Sequence, residues 1–212
     1  MQVKSFTFNP FQENTYVLYD KSKECIIIDP GCYEKNEQLE LQTFIQENQL
    51  KPVKLINTHC HIDHILGNQF VSNKWSLKLY MHEADLPILE NAREISKAYG
   101  LQNYTGSPYP EDFLEDGDVL KFGNTSLDIL FTPGHAPGHI CLYNKEKKIL
   151  IAGDVIFKGS IGRTDLPGGN FETLINSIQE KLFPLPNEMQ IYCGHGPETT
   201  LAHEKESNPF LQ

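Results

Sequence analysis

The segment Thr58-His59-Cys60-His61-Ile62-Asp63-His64 packs three imidazoles and a carboxylate into one turn of chain. So many polar groups cannot share a buried turn unless something charged binds them. The apolar residues Val53, Leu55 and Ile56 just before it read as a strand that ends there. At a strand end His59 and His61 alternate to one side, while Asp63 and His64 begin the next turn. One strand end thus offers two sets of ligands, for two adjacent metal positions. Neutral imidazole and carboxylate oxygen suit Zn²⁺ and its borderline neighbours. A solvated histidine cluster would need a surface helix or tail, and the flanking sequence is neither.

Three more strand-like runs end in a potential ligand. Leu127, Ile129 and Leu130 lead into Thr132-Pro133-Gly134-His135, Ile149 to Ala152 into Gly153-Asp154, and Ile191-Tyr192-Cys193 into Gly194-His195-Gly196. A single histidine or aspartate at a strand end is often only a turn residue or a cap; four such ends together carry the argument.

The series HxHxDH, GH, GD and GH resembles the metallo-β-lactamase superfamily of metallohydrolases across nearly the whole chain. The loop Gly159 to Gly169 and the tail from Gly196-Pro197-Glu198 to Asn208-Pro209-Phe210 are similar to its short, glyoxalase II-like branch. The resemblance implies a four-layer αββα sandwich. It also implies that His59, His61 and His135 hold one metal, that Asp63, His64 and His195 hold a second, and that Asp154 bridges them. The two divalent ions would be zinc, with iron or manganese as alternatives. They would activate water for attack on the carbonyl of a small thioester, S-lactoylglutathione or a related acyl thioester, with Asp63 orienting that water. Glyoxalase II itself continues into a helical glutathione-binding domain, whereas this chain stops at Gln212 and reads Ile161-Gly162-Arg163-Thr164 where those enzymes grip glutathione. The metal chemistry therefore carries over and the glutathione specificity does not. Two alternatives remain: an iron persulfide dioxygenase, holding one Fe(II) on His59, His135 and Asp154, and a lactone or other ester hydrolase. A non-catalytic version of the fold is disfavoured because every ligand position is filled.

The 212 residues fit a single domain spanning 1–212, with 39% hydrophobic and 22% charged residues. A net charge of −10, with only two arginines, Arg93 and Arg163, argues against nucleic acid as substrate. No apolar stretch reaches membrane-span length, and the N-terminus lacks a signal-peptide core. Cytoplasmic residence, as a monomer or homodimer without membrane association, is the expectation; β-lactam hydrolysis would call for export. Five cysteines without CxxC spacing read as reduced thiols, and Cys60 should turn away from the metals.

Periodicity places strands at Val3 to Phe8, Thr15 to Tyr19, Cys25 to Ile28, Leu77 to Met81, Val119 to Phe122, Ser126 to Phe131, Ile140 to Tyr143 and Lys148 to Ala152. Helices are expected at Glu37 to Asn48, Ile65 to Asn73 and Phe171 to Leu182. Ala92 to Asp116, rich in tyrosine, glycine and proline, reads as a long loop that either walls a cleft or simply connects. His139 is a supporting or core histidine, His82 a cap, and His203 structural. Arg163 either binds a substrate carboxylate or pairs with Asp165 to brace its loop.

Overall fold

Strands that are apolar at nearly every position need cover on both faces, and Cys25-Ile26-Ile27-Ile28 and Ile149-Leu150-Ile151-Ala152 are of that kind. The computed structural model, which describes residues 1–212, supplies that cover. Its first half runs β1 (Gln2–Phe8), β2 (Glu13–Tyr19), β3 (Glu24–Ile28), α1 (Lys35–Glu47), β4 (Lys51–Ile56), α2 (Ile62–Ile65), α3 (Asn68–Trp75), β5 (Leu79–Met81), a 3₁₀ turn at Glu83–Asp85, α4 (Leu86–Ala98) and β6 (Asp112–Phe113). The second half runs β7 (Val119–Phe122), β8 (Thr125–Phe131), β9 (Ile140–Asn144), β10 (Ile149–Gly153), β11 (Ile156–Phe157), β12 (Ser160–Ile161), α5 (Phe171–Ser177), a π turn at Ile178–Leu182, β13 (Gln190–Cys193), β14 (Thr199–Thr200) and α6 (Leu201–Ser207).

The strands form two six-stranded sheets, ordered β1-β2-β3-β4-β5-β6 and β14-β13-β10-β9-β8-β7, beside a small hairpin of β11 and β12. Because side chains alternate along a strand, each inner strand feeds two cores. Tyr16, Leu18, Ile26, Ile28 and Ile56 of the first sheet meet Leu127, Ile129, Ile140, Leu142 and Ile151 of the second. Their neighbours Val17, Cys25, Ile27 and Leu55 turn outward onto Leu41 and Ile45 of α1, Val71 of α3 and Leu89 of α4. On the far side Cys141, Leu150, Ala152 and Ile191 pack on Leu174 and Ile178. The layers are helix, sheet, sheet, helix, the αββα order that the resemblance implies.

Most expected elements lie within a residue or two of their place; three do not. The helix expected from Ile65 to Asn73 divides into α2 and α3, because the Gly67 N–H donates to the Pro30 carbonyl at 2.7 Å and turns the chain. The helix expected to reach Leu182 loosens into the π turn after Ser177. The Ala92 to Asp116 loop begins too early, since Ala92 to Ala98 continue α4, with Leu89, Ala92 and Ser96 buried at helical spacing. The loop itself starts at Tyr99, where Gly100 at φ +72° ends the helix.

β8, β10 and β13 run parallel to one another, so their C-terminal ends share one edge of the second sheet. The N-terminal end of β2 crosses to that edge. Asn14 N–H donates to the Gly194 carbonyl at 2.7 Å, and the Tyr16 hydroxyl to the Cys193 carbonyl at 2.5 Å.

Candidate metal centre

The seven residues singled out by spacing meet at this edge. His59, His61 and Asp63 to His64 follow β4, His135 follows β8, Asp154 follows β10 and His195 follows β13. His59 Nε2 lies 3.2 Å, and His61 Nδ1 2.9 Å, from His135 Nε2. Asp63 Oδ2 lies 3.1 Å from His195 Nε2 and 3.7 Å from His64 Nε2. Asp154 faces both triads: its Oδ1 is 3.4 Å from His64 Nε2, and its Oδ2 is 3.5 Å from both His135 Nε2 and His195 Nε2.

Hydrogen-bond logic fixes which nitrogens carry protons. His135 Nδ1 lies 2.7 Å from the Arg163 carbonyl, and His195 Nδ1 3.2 Å from the carbonyls of Phe11 and Gln12. A carbonyl can only accept, so Nδ1 carries the hydrogen and Nε2 presents its lone pair inward. His59 Nδ1 donates to Thr58 Oγ1, whose own hydrogen goes to Asp29 Oδ2 at 2.5 Å; His64 Nδ1 donates to the same Asp29 oxygen at 3.2 Å. His61 is turned the other way, with Nδ1 inward. Lone pairs thus converge at separations that repel unless a cation lies among them. His64 Nε2 and Asp154 Oδ1 are buried without a hydrogen-bond partner, as a cation site requires. Each triad keeps its ligand atoms within 4.8 Å of one another. The donor set of imidazole and carboxylate fits divalent ions.

The local electrostatics agree. Burial, reinforced by the neighbouring imidazoles, holds His59 well below the usual histidine range, and burial beside His135 holds His61 down to about 3. Both rings are therefore neutral ligands at working pH. Burial would raise Asp154, but His64, His135 and His195 more than offset it and keep the carboxylate ionised. Burial would lower His64, yet Asp154 and Asp63 lift it well above its ordinary value. The same carboxylates would attract a cation placed beside His64 Nε2.

The supporting residues were only partly visible in the sequence. His139 accepts the Asp154 N–H on Nε2 at 3.0 Å and so is neutral; it supports the site. His82 caps the turn at Glu83–Asp85, accepting from Ala84 N–H. His203 lies on α6 away from the site. The Cys60 thiol points at Met81 Sδ, 3.6 Å away, in the core. Three buried acids had no signal beyond an ordinary turn or helix start. Asp29 accepts from Thr58 N–H at 2.7 Å. Asp85 accepts from Cys60 N–H at 2.7 Å and Gly138 N–H at 2.5 Å, tying the first histidine loop to the His135 loop. Glu13 is fully buried, 3.9 Å from His64 Nδ1. Only the Asp-Pro-Gly spelling at Asp29 hinted at a special turn.

Above the carboxylates opens a cavity of about 980 Å³, walled by α4, Tyr99, Phe11, the β11–β12 hairpin and the Leu166-Pro167-Gly168 loop. Of the expected loop tyrosines, Tyr99 is a wall residue, Tyr104 is buried and Tyr109 is exposed. Arg163 also lines the cavity, with its guanidinium paired to Asp165 in a two-pronged contact at 2.7 and 2.8 Å.

A helix-flanked double sheet with histidines and carboxylates gathered where its strands end is the framework of a metal-dependent hydrolase. The chain belongs to the metallo-β-lactamase superfamily, whose family profile matches residues 8–195. It is 40% identical over 212 residues to the probable metallo-hydrolase YqgX of Bacillus subtilis (strain 168), covering 100% of this chain and 98% of that one. It is 38% identical over 212 residues, with the same coverage, to hydroxyacylglutathione hydrolase GloC of Haemophilus influenzae (strain ATCC 51907 / DSM 11121 / KW20 / Rd). Among solved structures, the BLEG-1 B3 metallo-β-lactamase superposes with a TM-score of 0.91 at 36% identity over 100% of both chains. TTHA1623 in a di-iron-bound form gives 0.88 at 36%, over 98% of this chain and 100% of that one. Family and clusters together imply divalent metals in this site. No helix is long and apolar enough to cross a membrane.

Proposed function

We propose that the chain hydrolyses a small acyl thioester at a two-metal centre, with His59, His61 and His135 holding one ion, Asp63, His64 and His195 the other, and Asp154 between them. The observation that carries this reading is the completeness of both triads around one shared carboxylate. Divalent ions there supply a Lewis acid that acidifies water and polarises a carbonyl. The protein's residues do the rest. At His59, His64, His135 and His195 the inward lone pairs are fixed by Nδ1 donors, so these four rings need not turn before reaction. Asp63, with Oδ2 toward His195 and His64, orients the attacking water and takes its proton on Oδ1. Water adds to the acyl carbon, the C–S bond breaks, and the proton passes from Asp63 to the departing thiolate. A thiolate leaves readily, so no serine or cysteine nucleophile is needed, and the five buried thiols are unsuited to the task.

The GloC relative, named for a glutathione thioester, supports this class of substrate, and the di-iron-bound neighbour supports two metal positions. A mononuclear iron dioxygenase of the same fold would use His59, His135 and Asp154 and shares the HxHxDH residues, so the number of ions separates the two readings. Metal analysis by mass spectrometry on protein purified without added metal, with S-lactoylglutathione and S-acyl-N-acetylcysteamine hydrolysis on the same sample, is the test. About two ions per chain with thioester turnover is the expected result. One iron per chain with oxygen uptake and no thioester turnover would refute it, as would β-lactam turnover alone. Asp63→Ala should lower kcat by at least about 100-fold; unchanged turnover would remove Asp63 from its role.

A further inference from the structure

The cavity above the metal-site residues is apolar where a peptide-conjugate site would be charged. Helix α4 carries two stripes. Leu89, Ala92 and Ser96 enter the core, and Ile88 and Ile95, half-buried at its margin, also line the cavity with Tyr99 one helical turn further. Phe11 closes the same wall, its ring edge-on to Tyr99 at 5.5 Å. Ile161 and Leu166 face them from the opposite side. Apolar side chains gathered on one open wall, rather than scattered, mark a surface built for a ligand.

The charge distribution points the same way. Arg163 is the sole lysine or arginine among the residues lining the cavity. Asp165 takes the Nε and Nη2 donors of its guanidinium, so the pair carries no net charge. A glutathione conjugate bears carboxylates at both ends of its peptide, and each would lose water on entering a wall whose one cation is already neutralised by Asp165.

Resting on the thioester-hydrolase reading and narrowing it, we propose that the cavity selects substrates whose non-reacting part is uncharged and apolar, an aryl or branched alkyl group seated on Ile88, Ile95 and Tyr99, over conjugates of an anionic peptide thiol. Specificity then comes from α4, and Arg163 with Asp165 braces the loop that carries the Arg163 carbonyl to His135.

Isothermal titration of the metal-loaded protein with two thioethers that cannot be hydrolysed, S-benzyl-N-acetylcysteamine and S-benzylglutathione, isolates this choice because the benzyl group is common to both. The neutral ligand is expected to bind about tenfold more tightly. Equal affinity, or tighter binding of the glutathione conjugate, overturns the proposal. Ile95→Asn, which unseats the benzyl group common to both ligands, should weaken both about equally; undiminished affinity for S-benzyl-N-acetylcysteamine in that variant also overturns the proposal. Asp165→Asn, which frees the Arg163 guanidinium, should raise affinity for S-benzylglutathione alone, and no gain there counts equally against it. The titration reads binding only. Failure of every thioester to turn over would remove the hydrolase reading and leave the selectivity measured here standing.

Discussion

The Asp154 carboxylate is held from several sides: its N–H donates to His139 Nε2 at 3.0 Å, and the Gly194 backbone presses against its Oδ1. A Cβ at position 194 would overlap that oxygen and stand 2.9 Å from His64 Cε1. Gly194→Ala must therefore displace the carboxylate shared by the two triads. Displacements near 1 Å at a reacting centre can cost about 100-fold in rate, and a loss of that size is expected, with bound metal falling below the wild-type content and far-UV circular dichroism unchanged. Retained activity and metal content would show that Asp154 tolerates another position. Glycine beside a ligand was readable from sequence, but its reason was not, because the clash is with a residue forty positions away. The seven candidate ligands were readable since they stand at the ends of four apolar runs. Asp29, Asp85 and Glu13 were not, since an isolated acid in a turn or at a strand start looks the same whether it faces solvent or accepts a buried donor.

Between elements, Asp85 links the loop after β4 to the loop after β8 through two backbone donors. Asp85→Ala would leave both N–H groups buried and unpaired, at a cost of about 3 kcal/mol, measurable by urea denaturation of the metal-free protein. The pH dependence has a definite sign. Burial pushes the Asp85 carboxyl up to about 6, above its ordinary 3.8. A raised folded-state value stabilises below the unfolded value, and that contribution is lost as pH rises through about 6. The stability gap between wild type and Asp85→Ala should thus be widest near pH 4 and narrow toward pH 7; a gap that widens with pH would mean that the ionised acid is the form preferred in the fold. The same element scale shows where sequence periodicity was sufficient. β7 lies over Val119–Phe122 as its alternation predicts. The sequence pattern hides the end of α4 because Tyr99, Gly100 and Pro108 make Ala92 to Asp116 read as one loop. The buried set Leu89, Ala92 and Ser96 includes a serine and an alanine, which weaken a hydrophobic stripe.

Across the whole molecule, the metal-site residues come from both sheets: His59, His61, Asp63 and His64 follow the first, and His135, Asp154 and His195 follow the second. Ions bound as proposed would fasten the open edge of the sandwich, whose middle is already closed by the apolar contacts of Ile26, Ile28, Leu142 and Ile151. Removing them by chelation should therefore act unevenly. The converging lone pairs would be left to repel, while the intersheet core keeps its area. Each ion present at a thousand times its dissociation constant contributes about 4 kcal/mol, so losing both costs about 8 kcal/mol, which for a chain of this length is a fall in melting temperature of about 20 °C on chelation. Hydrogen exchange gives the finer reading. Amides after β4, β8, β10 and β13 should lose protection, together with Asn14, which donates across the edge to Gly194. Ile27 and Leu142, on inner strands, should keep theirs, because their ladder bonds do not depend on the ligand loops. Protection lost equally at all these positions would mean that the metals hold the fold itself. Unchanged protection at the loops would mean that the edge is closed by its hydrogen bonds alone, through Asp29, Asp85 and Tyr16.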